Sequence, residues 1–185
     1  MKRTGLIILA VMLAAVLSCT KESLKLTYAN QEKFIEDFIN DKINADKSGT
    51  VHAVSNGGVQ RLVMVEGEGE ELASGGTVTF YYAGYVLSSK TISSNNLFAT
   101  NIKDIAEAAK WELSWEDYFE PVVEDLSDGK LVSGLKKGIK GVKAGEVCYI
   151  LFSGKYGYGD KQYGTIPAKS ALAYYVEVVE VNNNE

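Results

Sequence analysis

The 185-residue sequence predicts an α+β domain, in which a curled antiparallel sheet wraps around a short helix. Four segments have the β-branched and aromatic composition of strands, at residues 59–69, 75–87, 146–153 and 171–181. Helical spacing occurs at residues 30–46 and 133–145. Strands therefore outnumber helices in this part of the chain, and most connections between the strands suit antiparallel pairing.

The predicted strand at residues 75–87 alternates most sharply. One face carries Val78, Phe80, Tyr82 and Val86. The other face carries Thr77, Thr79, Tyr81 and Tyr85. Because successive side chains of a strand point to opposite faces, this pattern predicts a strand with two distinct sides.

The two predicted helices differ in character. Residues 30–46 have an amphipathic pattern with apolar residues at three- and four-residue spacing, and Asn30 suits an N-cap. Residues 133–145 predict a short helix capped by Ser133, followed by a turn. The stretch between the first helix and the first strand, residues 47–58, is expected to form a loop.

The first eighteen residues predict a secretory signal that is removed. Lys2 and Arg3 precede an apolar run of about fourteen residues, which is short for a membrane span. The run ends in VLS followed by Cys19, which resembles a bacterial lipobox. Such a cysteine is lipidated and becomes the first residue, and more than one acyl chain gives a stable anchor. An ordinary cleaved signal with a chance cysteine is the alternative.

The mature chain is expected to have two parts, attached to a bacterial membrane in the cell envelope, periplasmic or surface-exposed. Residues 19–58 comprise the lipidated Cys19, a polar tether at 20–27 and the N-terminal helix. Residues 59–185 comprise the folded domain, with a helical insertion at about 101–130.

Charge and reactive residues exclude several classes of protein. The mature chain has 17 basic and 24 acidic residues, a net charge of −7, which argues against a nucleic-acid binder. If Cys19 is lipidated, Cys148 is the one remaining cysteine of the two in the sequence, so no intrachain disulfide is expected. His52 is the sole histidine, which nearly excludes histidine-based metal sites and hydrolytic triads. We therefore expect no metal and no cofactor.

Four motifs follow one another along the chain, and their order is informative: VTFYYAGYV, LFATN, LVSGLKKGIKGVKAGE and YGYGDKQYGTIPAKSALAYYVEVVEV. Together they resemble an FKBP-type peptidyl-prolyl cis-trans isomerase in its bacterial lipoprotein form, over about residues 59–181. The resemblance implies an FKBP-like fold that isomerises X-Pro bonds in an apolar aromatic pocket. It also implies proline-containing segments of unfolded or exported proteins as partners. Nothing in the sequence demands a dimer, so a monomer is expected.

The resemblance carries functional residues over to this sequence. Those implied to be catalytic are Tyr82, Phe98, Val132, Tyr158 and Tyr174. Those implied to bind substrate are Leu131, Leu135, Tyr163, Ile166 and Ala99. The amide of Val132 and the hydroxyl of Tyr158 are expected to hold substrate carbonyls, whereas the aromatic rings form the walls.

Ala99 departs from the family pattern, which has an aspartate after the phenylalanine. An isomerase that assists the folding of exported proteins is the first hypothesis. A catalytically weak FKBP-like peptide-binding or chaperone module is the alternative that Ala99 and the insertion favour. A structural lipoprotein that shares only the fold is a third hypothesis.

The insertion is acidic and aromatic. Residues 101–128 hold nine acids and two lysines, together with Trp111, Trp115, Tyr118 and Phe119. One interpretation is a lid or partner surface over the pocket. The other is a solvated helix whose aromatic side chains pack on the sheet.

Overall fold

The computed structural model describes residues 2–111 and 116–183, with side chains from residue 21 to 111 and from 118 to 183. The helices are α1 (Lys2–Ala45), α2 (Lys103–Ala108) and α3 (Ser133–Ile139). The strands are β1 (His52–Asn56), β2 (Val59–Val65), β3 (Thr77–Leu87), β4 (Leu97–Thr100), β5 (Val122–Asp125), β6 (Val147–Phe152) and β7 (Ala171–Asn182).

Within the described residues, the seven strands form one antiparallel sheet in the order β1-β2-β6-β7-β3-β4. Strand β5 pairs with the first half of β3, and the β3–β7 ladder extends along the whole of β3. Register shifts interrupt three of the ladders, at Val63/Val65, Thr79/Phe80 and Gly84/Tyr85. Because a bulge bends its strand and increases the local twist, these shifts help the sheet to curl. The predicted α+β class and curled antiparallel sheet are confirmed.

The inner face of the sheet holds the main core, together with α3. Val78 and Phe80 of β3 pack there with Leu135 and Ile139 of α3, all nearly fully buried. Tyr85 points to the other side of the sheet and belongs to a separate cluster. The alternation predicted for β3 is therefore confirmed.

Two glycines let α3 lie directly against β6. A Cβ atom at Gly134 would overlap the ring of Phe152, and one at Gly138 would overlap Ile150. The glycines are four residues apart and so share one face of the helix. Glycine inside a helix costs about 1 kcal/mol relative to alanine. The close approach to β6 explains why glycine occupies both positions, and it brings the start of α3 to the site.

A buried ion pair ties the end of α3 to the sheet. Arg61 on β2 donates to the carbonyls of Gly138, Lys140 and Gly141 at 3.3, 2.9 and 3.1 Å. Its Nε atom lies 3.3 Å from Oε1 of Glu146. Burial raises the pKa of Glu146, against the opposing effect of the Arg61 charge. Removing either partner would leave an uncompensated buried charge, a change that typically costs about 3–5 kcal/mol.

Helix α1 covers the outer face of the sheet. Ile35, Phe38 and Ile39 are buried there in a cluster with residues of β2, β3, β6 and β7. The ring of Phe38 meets Tyr149 edge-on, with centroids 5.4 Å apart. This placement confirms the apolar stripe that the sequence predicts for the helix.

The predicted start of this helix is wrong. Helix α1 begins well before Asn30, and residues 20–27, expected to be a tether outside it, lie within it. Residues 21–45 contain neither glycine nor proline and are rich in good helix formers, so nothing ends the helix in that stretch. The expected cap at Asn30 is therefore wrong as well.

The expected loop at residues 47–58 contains a strand instead. Strand β1 forms a hairpin with β2 across Gly57 and Gly58, whose φ angles are +56° and +86°. Positive φ at both positions is what the favoured two-residue hairpin turn requires. All five residues of β1 are exposed, which leaves no alternation from which to predict a strand.

Two smaller predictions are also corrected. Val132, not Ser133, is the N-cap of α3, and it makes no side-chain capping bond. The insertion is helical only in part, because its last section forms β5 and joins the sheet. A four-residue strand is too short to show a clear alternation, and pairing with β3 decides its structure.

The division into signal, lipidated segment and folded domain stays a prediction. Cys19 lies outside the described side chains. In the part of the chain described here, no helix is both long and apolar enough to cross a membrane.

Candidate active site

One cavity of about 400 Å³ opens on the inner face of the sheet, between the start of α3 and the loop that precedes β7. All ten site residues predicted from the sequence line it: Tyr82, Phe98, Ala99, Leu131, Val132, Leu135, Tyr158, Tyr163, Ile166 and Tyr174. They come from β3, β4, β7, α3 and two loops. The structure thus brings the whole set together, while the role of each residue stays a prediction.

Tyr174 on β7 forms the base of the cavity and is 4% exposed. Its ring stacks on Phe152 at 5.9 Å between centroids and meets Phe98 edge-on at 5.7 Å. Tyr82 lies 6.3 Å away in a tilted arrangement. Aromatic pairs in such geometries contribute about 0.5–1.5 kcal/mol beyond the burial of their area. The aromatic wall is therefore continuous with the core and held rigidly by it.

The VTFYYAGYV motif of β3 has a glycine, Gly84, two residues after Tyr82, and the structure explains it. A Cβ atom at this position would overlap the ring of Phe98. Gly84 pairs with Ala99 in the β3–β4 ladder, and the register shifts directly afterwards. The absence of a side chain allows Phe98 to lie across the strand, where its ring meets Tyr174 edge-on. Gly84 thus makes room for one wall of the cavity.

The start of α3 forms the opposite side. Leu135 is 4% exposed and lies on the face of α3 that packs in the core. Val132 precedes the first helical turn, where backbone N–H groups have no partner inside the helix. That position suits the predicted donor role of the Val132 amide.

The loop between β6 and β7 provides the rim. The rings of Tyr158 and Tyr163 stack at 4.4 Å with an interplanar angle of 3°. Tyr163 and Ile166 exchange two backbone hydrogen bonds of 3.0 and 2.9 Å around a tight turn. Ile166 is buried whereas Tyr163 is 61% exposed. The rim therefore consists of a stacked tyrosine pair above a buried isoleucine.

Gln31 of α1 closes the base of this loop, and sequence reasoning missed it. Its Nε2 donates to the carbonyl of Lys169 at 2.6 Å, and its Oε1 accepts from the amide of Gly154 at 2.8 Å. Gln31 is 8% exposed. One side-chain amide thus bridges both ends of the loop that carries Tyr158. No local pattern in the sequence indicates this contact, because it joins residues 138 positions apart.

The hydroxyls of Tyr82, Tyr158 and Tyr174 stay protonated. Burial, followed by the nearby Tyr158 hydroxyl, raises the pKa of Tyr174 far above its usual value. Burial also raises the pKa of Tyr158, against the opposing effect of the neighbouring Tyr174 hydroxyl. The pKa of Tyr82 is raised mainly by burial and, to a smaller extent, by the nearby Tyr118, Tyr158 and Glu124. These hydroxyls are therefore neutral near pH 7 and able to donate hydrogen bonds.

The insertion contributes to the cavity through β5, which sequence reasoning also missed. Val122 and Glu124 line the cavity, as does Lys130 just beyond the strand. Trp111 packs instead against the cluster that contains Tyr85, on the other side of the sheet. This contact agrees with the interpretation in which aromatic side chains of the insertion pack on the sheet. Trp115 and residues 112–114 lie outside the described residues, so the lid hypothesis stays a prediction.

Comparisons with known proteins agree with this architecture. A family model described as FKBP-type peptidyl-prolyl cis-trans isomerase matches residues 68–179. FK506-binding protein 1 of Aspergillus oryzae is 30% identical over 125 residues, which cover 68% of this chain and 99% of that protein. Peptidyl-prolyl cis-trans isomerase Mip of Chlamydia trachomatis is 26% identical over 156 residues, which cover 84% of this chain and 51% of that protein.

A solved structure shares the fold. The crystal structure of FkpA from Escherichia coli superposes with a TM-score of 0.55 at 23% identity. The match covers 94% of this chain and 70% of that one, and at this identity it shows the fold alone. All ten predicted site residues lie inside the family match, whereas Gln31 precedes it.

Proposed function

The chain belongs to the FKBP-type peptidyl-prolyl cis-trans isomerase family, and on that premise we propose that its aromatic cavity isomerises X-Pro bonds in exported proteins as they fold. One observation carries the proposal: residues from β3, β4, β7, α3 and the rim loop converge on a single cavity. That cavity is walled mostly by aromatic and aliphatic side chains, with Glu124 and Lys130 as its charged lining residues.

An apolar cavity suits this reaction. Rotation about the X-Pro bond crosses a barrier of about 18–20 kcal/mol, because resonance is lost at the twisted state. Without catalysis the exchange takes tens to hundreds of seconds. A twisted amide separates less charge than a planar one, so transfer from water into an apolar cavity favours the twisted state. The reaction needs no nucleophile.

Two polar groups would hold the substrate backbone. The Val132 amide and the Tyr158 hydroxyl each supply a donor for a carbonyl next to the proline, at about 1 kcal/mol net per hydrogen bond. Stabilising the twisted state by about 7 kcal/mol relative to the planar state would accelerate exchange roughly 10⁵-fold. The apolar walls must therefore supply most of the effect.

A second candidate function rests on Ala99. This residue lines the cavity where the family pattern has a carboxylate, so the wall beside Phe98 is apolar in this chain. A cavity of this kind still accepts a proline ring. Without the carboxylate, the protein would bind proline-containing segments and catalyse weakly, as a peptide-binding or chaperone module.

The remaining proposals concern location and partners. The lipobox-like sequence ending in Cys19 supports attachment to a bacterial membrane in the cell envelope, periplasmic or surface-exposed. Unfolded or exported proteins that contain proline would be the clients there. A monomer is sufficient, because one chain supplies every wall of the cavity.

Catalysed refolding tests the proposed function. The substrate is an unfolded protein whose slow refolding phase, on the order of a hundred seconds, is limited by prolyl isomerisation. We expect a substoichiometric amount of the chain to shorten this phase, and Phe98→Ala to shorten it far less. A slow phase that the natural chain leaves unchanged would contradict the proposal.

A further inference from the structure

Glu124 places a carboxylate where the strand pattern would favour an apolar side chain. In the β5–β3 ladder, Glu124 pairs with Val78 and Val122 pairs with Phe80. Paired residues of an antiparallel ladder share one face of the sheet, and Val78 and Phe80 lie in the inner core. Val123 between them is 64% exposed. Glu124 therefore stands on the inner face, half-buried, at the edge of the cavity that it lines.

The neighbouring cation does not neutralise this carboxylate. Lys130 also lines the cavity, but its Nζ atom lies 2.9 Å from Oδ2 of Asp128. Glu124 and Asp125 are weaker neighbours of the same ammonium group. One lysine thus faces three carboxylates. Among the described side chains, no lysine, arginine or histidine nitrogen lies within 4 Å of a Glu124 oxygen.

The carboxylate also lies near the wall at which a proline would bind. It contributes to the raised pKa of Tyr82, after burial and the nearby Tyr118 and Tyr158. Ala99 on the adjacent strand adds no charge to that wall. Glu124 is therefore the acidic group of the cavity without a close cationic partner.

We propose that Glu124 makes the cavity select prolines that stand next to a lysine or arginine in the client, an inference that rests on the proposed function. When a proline ring fills the cavity, its neighbours in the peptide lie at the rim. A basic side chain there meets an unpaired carboxylate, whereas an acidic one meets a site with surplus negative charge. The substrate class is thus an X-Pro segment with an adjacent basic residue.

Screening by water and salt limits how strongly Glu124 can favour a basic peptide. A partly exposed ion pair contributes up to about 1 kcal/mol, which corresponds to roughly a fivefold preference. The Debye length falls from about 10 Å at 0.1 M salt to about 3 Å at 1 M. We therefore expect the natural chain to prefer a lysine peptide over its glutamate counterpart by about threefold or more at low salt, and less at high salt.

The test compares the full chain with two variants on short proline peptides. The peptides differ only in the residue before or after the proline, which is lysine, leucine or glutamate. NMR measures binding from peptide shifts and isomerisation from cis–trans exchange in the same samples. Glu124→Gln removes the cavity carboxylate. Asp125→Asn removes the same charge one residue along β5, on the other face, and keeps the oxygen that accepts from the Ser127 amide.

The lysine-to-glutamate ratio is the readout. We expect it to fall towards one in Glu124→Gln and to stay near the natural value in Asp125→Asn. An equal fall in both variants would assign the preference to the net negative charge of the protein and overturn the proposal. A ratio unaffected by Glu124→Gln would also overturn the proposal. If peptides still bind and exchange in that case, the proposed isomerase function is not affected. If no peptide binds or exchanges, the proposed function itself fails.

Discussion

The wall and the rim of the cavity are held in different ways. The wall, defined as Tyr82, Phe98 and Tyr174, comes from three strands of one sheet, and its rings pack against one another and the core. The rim, defined as Tyr158, Tyr163 and Ile166, comes from one loop that a tight turn, a stacked pair and Gln31 hold in place. Changes in the wall should therefore reduce stability and activity together, whereas changes in the rim should mainly affect activity.

The largest effect is expected for Phe98→Ala. This change removes a ring that contacts Tyr174 and fills the space above Gly84. We expect a loss of about 2–4 kcal/mol in the free energy of unfolding. We expect activity to fall more than the loss of folded protein explains. Urea unfolding and peptide exchange measure the two effects, with Val123→Ala, at the exposed residue of β5, as the control. Loss of activity at full stability would contradict the distinction between wall and rim.

Gln31→Met sharpens the account of the rim. The methionine has a similar length but bridges neither Lys169 nor Gly154, so the buried Gly154 amide loses its partner. We expect about 1–3 kcal/mol of destabilisation near the loop and an activity loss of several-fold. Faster hydrogen exchange at Gly154 would report the opening directly. Lys33→Met, the same substitution at an exposed residue of α1, is the control. Unchanged hydrogen exchange at Gly154 would show that Gln31 does not hold the rim loop in place.

Tyr158→Phe isolates one hydroxyl. The ring and its stacking on Tyr163 stay, whereas the donor to the substrate is lost. We expect activity to fall several-fold while the free energy of unfolding changes by less than about 1 kcal/mol. Tyr156→Phe is the matched control, because it removes a hydroxyl from the same loop outside the cavity lining. Equal activity in both variants would mean that Tyr158 does not contact the substrate.

The smallest effect is expected from pH. Burial raises the pKa of Tyr82, Tyr158 and Tyr174 above the usual value of a tyrosine, about 10. The neutral, hydrogen-bonding form therefore persists up to and beyond pH 10. We expect exchange rates corrected for the uncatalysed reaction to be flat from pH 6 to 9. A fall in rate within this range would show that another group titrates in the cavity.

The sequence predicted the wall better than the supports of the rim. The family resemblance, which rests on the ordered motifs, implied Tyr82, Phe98 and Tyr174 as walls of one cavity. Alternation along β3, a local property of the chain, placed Tyr82 on the same face as Phe80. The bridge from Gln31 to the rim loop was missed. It joins distant segments, and a single sequence carries no information about such pairs.

Short strands account for two further errors, the loop expected at residues 47–58 and the helix expected throughout the insertion. Strand β1 is fully exposed and β5 has four residues, so neither shows a periodic pattern. Their pairing with longer strands decides their structure. Missing β5 also hid Glu124, the charged residue that most distinguishes the cavity from its apolar surroundings.

One measurement tests the central claim most directly, namely that this cavity isomerises X-Pro bonds. NMR exchange spectroscopy would compare the full chain with Ala99→Asp on one short peptide. The account predicts fast exchange by the natural chain, which Ala99→Asp raises further and Phe98→Ala lowers. Slow exchange by the natural chain despite peptide binding would contradict it. The protein would then be a proline-binding module, and restoration of fast exchange by Ala99→Asp would identify the missing carboxylate as the reason.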